Sequence, residues 1–252
     1  MNQTNELAAV MPRRTKIVAT LGPATDDPDT LERLIKAGCD VVRVNFSHGD
    51  PDTHARRIKM VRAVARELDT DIAVLGDLAG PKIRIDHFKE GSVTLEVGQP
   101  FRLMACENPP AGDVHGVGVS YLGLPQDVSV GAELRLDDGL IALRVTGIEG
   151  QNIDCEVING GRLSDRKGLN LRGGGLSIPG LADSDRKDIE RAAEWQVDFL
   201  AVSFPRNAED IEYARTLLRE AGGDAAIVAK IERHEAIENL DSVVEACDVV
   251  LV

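Results

Sequence analysis

From Thr15 to about Arg84, and again from Ser177 to the last residue, short apolar runs alternate with amphipathic stretches. That rhythm constrains the fold more than any other feature of the chain. "KIVATLG" (16–22), "CDVVRVNF" (39–46) and "IAVLGDL" (72–78) read as strands. "DPDTLERLIKAG" (27–38) and "THARRIKMVRAVARELD" (53–69) read as helices. Pro28 suits a first helical turn, Leu31, Leu34 and Ile35 form one face, and Gly38 suits a C-terminal cap. After Ser177 follow a helix at "SDRKDIERAAEWQ" with Ser184 as N-cap and a strand at "DFLAVSF" (198–204). A helix at "AEDIEYARTLLREAGG", a strand at "AAIVAKIE" (225–232), a helix at "EAIENLDSVVEAC" and a last strand at "DVVLV" complete the series. Repeated β/α units with apolar strands imply a parallel sheet covered by helices. Six strands fit part of an eight-stranded (β/α)8 TIM barrel. They also fit a doubly wound sheet, although no glycine-rich dinucleotide fingerprint follows the first strand.

Between about Ile85 and Leu176 no long helical period survives. Runs such as "SVTLEV", "PFRLMA", "ELRLDDGLIALRVTGI" and "NIDCEVI" alternate apolar and polar residues, and "DDG" (137–139) signals a hairpin. The expected organisation is a tail over 1–12, a first barrel part over 13–84, an inserted small all-β domain over 85–176, and a second barrel part over 177–252 that stops short of eight strands. The fold class is therefore α/β.

Hydrophobic residues make up 43% of the chain and aromatic residues 3%, so the core must be aliphatic. A net charge of −13 disfavours a general nucleic-acid binder while leaving room for local phosphate pockets. The opening "MNQTNELAAVMPRR" does not read as a secretory signal, and no apolar run approaches the ~20 residues that span a bilayer. Cys39, Cys106, Cys155 and Cys247 form no CxxC pair and read as core residues in a reducing cytosol. A cytoplasmic protein without membrane or nucleic-acid partners is expected.

Charges interrupt the strands in a pattern. Arg43 and Asn45 share one face of their strand, as do Lys230 and Glu232; Asp77 ends the third strand and Ser203 lies near the end of the fourth. All stand toward C-terminal strand ends, where parallel α/β folds place their sites. Arginine matches phosphate or carboxylate oxygens. A carboxylate suits Mg2+, and a lysine can neutralise charge on a phosphoryl group or an enolate. A ring of ion pairs closing the barrel mouth would use the same residues. Spacing alone names no substrate.

"RRTKIVATLGPA" (13–24), "VVRVNFSHG" (41–49), "GDLAGPKIR" (76–84), "KGLN" (167–170) and "IVAKIERHEA" (227–236) resemble pyruvate kinase, in order and over nearly the whole chain. The resemblance implies a barrel with a mobile β lid and transfer of the phosphoryl group of phosphoenolpyruvate to ADP, giving pyruvate and ATP in glycolysis. It implies that Arg43 grips the substrate phosphate, that Lys230 stabilises the enolate and the transferring group, and that Ser203 lines the phosphoenolpyruvate pocket. Glu232 would be one ligand of Mg2+, or of Mn2+ in its place. Asn45, Phe46, Ser47 and His48 would border the nucleotide, and Arg84 and Lys167 would reach its phosphates. A monovalent-cation pocket would be built from Asn45, Ser47, Asp77 and the Leu78 carbonyl.

Two departures stand out. Lys82 and Leu78 occupy positions where potassium-dependent members usually carry glutamate and threonine. A lysine there supplies the positive charge internally, so little dependence on K+ is expected. In the family the strand "DVVLV" continues into "ARGDLG", whose aspartate is the second Mg2+ ligand, and then into further strands and a C-terminal domain. The sequence therefore reads as a piece of a longer enzyme. Six strands alone would expose apolar edges, and a tetramer is expected of a full-length version. The alternatives are a non-catalytic remnant that binds nucleotide or phosphoenolpyruvate, and an Mg-dependent barrel lyase acting on pyruvate or oxaloacetate.

Overall fold

The computed structural model describes residues 13–252; the tail expected over 1–12 lies outside the described residues. The chain opens with β1 (Val18–Thr20), α1 (Pro28–Lys36), β2 (Val41–Asn45), α2 (Pro51–Glu67) and β3 (Ala73–Asp77). Both helices start as local chemistry dictates. Asp27 and Asp50 accept the amides of Thr30 and Thr53 at 2.9 and 3.0 Å, and Pro28 and Pro51 fill first positions that need no amide. That proline moves the start of α2 two residues ahead of the expected Thr53. Gly38, at φ +103°, follows the end of α1 in a conformation that favours glycine.

An inserted β unit follows: β4 (Ser92–Leu95), β5 (Pro100–Met104), β6 (Gly116–Gly118), a short α3 (Leu124–Asp127), β7 (Glu133–Leu136), β8 (Ile141–Glu149), β9 (Asn152–Asn159), β10 (Gly161–Ser164) and β11 (Leu169–Leu171). Six of these strands form one sheet in the order β11-β7-β8-β9-β5-β6, and β4 pairs with β10. Asp137–Gly139 make the tight turn between antiparallel β7 and β8, where the sequence signals a hairpin. Strands β6, β10 and β11, at three to four residues each, were too short to leave a period. The unit has its own core, with Phe101, Leu103, Leu134, Leu143, Ile153 and Val157 almost fully buried.

The chain then gives α4 (Asp183–Glu194), β12 (Phe199–Val202), α5 (Ala208–Glu220), β13 (Ala226–Lys230), α6 (His234–Glu238), α7 (Leu240–Ala246) and β14 (Val249–Leu251). Two expectations are corrected here. The N-cap of α4 is Ala182, not Ser184; the Asp185 carboxylate, inside the first turn, accepts the Ala182 amide at 2.8 Å. The single helix expected over "EAIENLDSVVEAC" is broken at Asn239, which leaves helical geometry between α6 and α7.

β1, β2, β3, β12, β13 and β14 form one parallel sheet in that order. Each new strand joins beside the last and the order never reverses. A doubly wound sheet requires a reversal, so the barrel alternative holds and the arc is part of a (β/α)8 barrel. Val42, Val44, Val74, Leu200, Val202 and Ile227 face the helices, in one cluster with Leu31, Ile58, Val61, Ile189 and Ile211. The opposite, concave face carries a smaller cluster of Leu75, Ala201 and Val228. Each fully buried aliphatic side chain contributes about 1.5–3 kcal/mol, so the helix-covered face holds the arc together and the concave face remains open to carry polar groups.

The chain leaves the barrel after β3 and returns before α4, and these two crossings are tied. Arg84 and Gly168 bridge antiparallel, with Ile85 N–H on Lys167 O and Leu169 N–H on Ile83 O, both at 2.9 Å. Asp185, fully buried, also accepts the Gly80 amide at 3.0 Å, so one carboxylate holds the exit and the return together. Burial pushes its pKa up and its amide partners pull against that.

Candidate active site

The inward periodicity of the strands brings Arg43 (β2), Asp77 (β3) and Lys230 (β13) to one end of the concave face. Asp77 is 1% exposed. A carboxylate so placed must be paired to remain charged. Arg43 Nε donates to its Oδ2 at 2.7 Å, and Lys230 Nζ lies 3.2 Å from its Oδ1. Arg43 also donates to Thr20 Oγ1 at 3.0 Å, which brings the tip of β1 into the network. Thr20 is a site residue that the sequence reading missed; it shares its face with Val18, and only its place at a strand tip could have signalled it.

Lys230 has three ammonium protons and three acceptors: Asp77, Ser203 Oγ at 2.8 Å and Glu232 Oε1 at 3.2 Å. The Ser203 hydroxyl donates in turn to the Leu78 carbonyl at 2.7 Å. Glu232 departs from expectation in one respect. It stands two residues past the end of β13, not on the strand face, and it reaches the mouth because the Phe204 amide donates to its Oε2 at 3.3 Å. Phe204 was not anticipated either. Its φ of +58° is uncommon for a side-chain-bearing residue and turns its amide toward Glu232.

These residues surround a cavity of about 190 Å3. Asn45, Ser47 and His48 line one wall, with Ser47 N–H on Asn45 Oδ1 at 3.0 Å; Lys82 and Arg84 line the wall toward the β unit. Gly168 lies against the Lys82 stem, since a Cβ there would stand 2.8 Å from Lys82 Cε. Two expected residues, Phe46 and Lys167, do not line this cavity, whereas Leu78 contributes its carbonyl as expected. The Phe46 ring faces the helices, 5.6 Å from the His54 ring and 5.8 Å from that of Trp195, and a Cβ on Gly76 would meet it at 2.9 Å. Strand alternation gives the reason: if Arg43 and Asn45 point inward, Phe46 points outward. The Leu78 side chain is buried in the helix-covered core, leaving only its carbonyl at the mouth. Lys167 stands outside the mouth and pairs with Asp137 at 2.8 Å.

The arrangement can hold an anion between Arg43 and Lys230. For a metal it offers one accessible carboxylate, Glu232, 31% exposed. Among the described residues no cluster of three or more histidine, cysteine or acidic side chains is poised to cage an ion. Mg2+ commonly takes one or two carboxylates and completes its shell from phosphates and water. The donor set fits that kind of ion.

A family profile described as "Pyruvate kinase, barrel domain" matches residues 12–252. The chain is 52% identical over 243 residues to pyruvate kinase II of Salmonella typhimurium, covering 95% of this chain and 51% of that protein. It is 49% identical to pyruvate kinase of Haemophilus influenzae and 47% to that of Buchnera aphidicola subsp. Schizaphis graminum, with 95% of this chain covered in each case. The chain spans about half the length of these curated relatives. With the profile matched over almost every residue, the chain belongs to the pyruvate kinase family.

Proposed function

We propose that this chain carries the phosphate-handling face of a pyruvate kinase, a cytoplasmic phosphotransferase of glycolysis that moves the phosphoryl group of phosphoenolpyruvate to ADP and yields pyruvate and ATP. The observation that carries the reading is the convergence of Arg43, Lys230, Ser203 and Glu232 around one buried carboxylate, Asp77. Arg43 grips the substrate phosphate through its planar fork. Lys230 supplies positive charge to the enolate oxygen and the transferring group, where stabilisation matters most. Ser203 lines the carboxyl end of the substrate and holds the Lys230 ammonium in place. Glu232 would hold Mg2+, or Mn2+ in its stead; when bound, the ion neutralises phosphate charge. Asn45, Ser47 and His48 border the nucleotide, with the Phe46 backbone beside them.

Arg84 and Lys167 reach the nucleotide phosphates when the β unit, acting as a lid, closes and excludes water. For Lys167 this requires exchanging Asp137 for phosphate. The lid supports the nucleotide reading over a lyase, because a pyruvate or oxaloacetate lyase needs no nucleotide cover. Within a full-length protein we take the working form to be a homotetramer, which sedimentation would test. The test of the activity is a coupled assay with Mg2+, ADP and phosphoenolpyruvate, comparing this chain with one extended to the length of its relatives. Absence of turnover in the extended protein would sink the reading.

The proposal extends to the monovalent cation. Three of the four groups that would bind K+ already serve protein donors: Asn45 Oδ1 takes the Ser47 amide, Asp77 takes Arg43 and Lys230, and the Leu78 carbonyl takes Ser203. Lys82 lines the same cavity, and no carboxylate of the described residues is within ion-pair distance of its ammonium. Its charge stands in for the ion. Activity in tetramethylammonium buffer should stay within about threefold of that in potassium; a hundredfold drop would refute this.

A further inference from the structure

The end of β13 and the segment after it serve two places at once. Lys230 and Glu232 face the mouth, whereas Arg233 and Glu235 face the root of the inserted β unit. Glu235 Oε1 accepts the Gly175 amide at 2.8 Å. A Cβ on Gly174 would lie 2.9 Å from the Glu235 carboxyl carbon. Gly173, Gly174 and Gly175 run at φ of +88°, +77° and +92°, a path that residues with a Cβ rarely take. The returning chain is thus shaped to lie against this one carboxylate.

Arg233 completes the contact. Its Nε is 3.5 Å from Glu235 Oε2, and its Nη2 donates to the Leu176 carbonyl at 3.3 Å. The side chain is 10% exposed and lines a cavity of about 30 Å3, together with Pro81, Lys82, Leu176 and Phe204. Arg233 Nη1 and Glu235 Oε2 are buried with no hydrogen-bond partner. Buried polar atoms left short of partners cost stability, so they call for an explanation other than stability.

We propose that Arg233 and Glu235 are positioning residues that fasten the chain returning from the β unit, at Gly174–Leu176, to the segment bearing Lys230 and Glu232. A shift of the β unit then moves the Glu232 carboxylate with it. The mechanical path is short: Phe204 shares the Arg233 cavity, and its amide donates to Glu232. The meaning of the coupling for phosphoryl transfer rests on the function proposed above.

The test is hydrogen exchange on the full chain, with Glu235→Gln and Gly174→Ala against a control. Arg57→Gln is the control, since it breaks the remote Arg57–Asp26 pair (2.6 and 2.8 Å), a closer ion pair than Arg233–Glu235 at 3.5 Å. Both variants at the root should speed exchange about tenfold at Gly173–Leu176 and also at Phe204, and the control should change neither. Acceleration confined to Gly173–Leu176, no acceleration, or equal acceleration in Arg57→Gln would overturn the proposal. Mn2+ binding to Glu232→Gln, run alongside, bears on the metal reading of the mouth and leaves the exchange result to decide the coupling.

Discussion

The barrel side of the mouth and its lid side are built to different standards. On the barrel side Asp77 is sealed, Lys230 is 11% exposed, and every proton of the ammonium has an acceptor. On the lid side Lys82 has no ionic partner among the described residues, Lys167 is 38% exposed with a single one, and the Arg84 guanidinium holds only the Arg166 carbonyl, at 3.0 Å. A preorganised set of charges lowers the barrier because nothing must rearrange during reaction. A loosely held set can follow a ligand that arrives and leaves. On the proposed function, this difference assigns the chemistry to the barrel side and the coming and going of ligand to the β-unit side.

Five substitutions would break or sharpen that contrast. Lys230→Met should have the largest effect, a loss of 10³-fold or more in kcat in the coupled assay of the extended protein, with KM for phosphoenolpyruvate changed far less. A loss below tenfold would mean the barrel side is not the reacting side. Asp77→Asn should come next: it leaves Arg43 and Lys230 sharing a neutral partner, and thermal unfolding should register a cost of about 3 kcal/mol. A loss under 0.5 kcal/mol, taking surface pairs of ~0–1 kcal/mol as the yardstick, would erase the distinction between the two sides. Glu232→Gln should weaken Mn2+ binding tenfold or more, followed by electron paramagnetic resonance, while the melting temperature moves little. The smallest effect belongs to the lid side, where Arg84→Ala or Lys167→Ala should weaken ADP binding about three- to tenfold with stability unchanged. A stability loss as large as that of Asp77→Asn would show that the lid side is structural after all.

Much of the barrel side was legible in the sequence, because period-two alternation dictates which strand residues share a face. Arg43, Asn45 and Asp77 follow from that rule, and so does the outward course of Phe46, had the rule been carried one residue further. Period-two alternation extends the strand to Glu232, because Lys230 and Glu232 alternate with Ala229 and Ile231 in "IVAKIE". Only tertiary contact, the Phe204 amide, reveals that the chain has already turned. Asp185 and Arg233 carry no local sign of burial: Asp185 is buried where the chain leaving β3 meets the chain returning to α4, and Arg233 where the root of the inserted unit returns, both long-range events. The glycine triplet at 173–175 was the one local hint, since three left-handed residues in a row need a reason.

The sharing of Asp77 by two strands has a consequence for how such a sequence can change over time. A carboxylate that answers to Arg43 on one side and Lys230 on the other cannot be exchanged to suit either alone. Any viable alternative requires simultaneous replacement at three separate places in the gene, which one-step drift does not reach. Descendants should therefore keep the trio intact long after Lys82, Arg84 and Lys167 have diversified one by one.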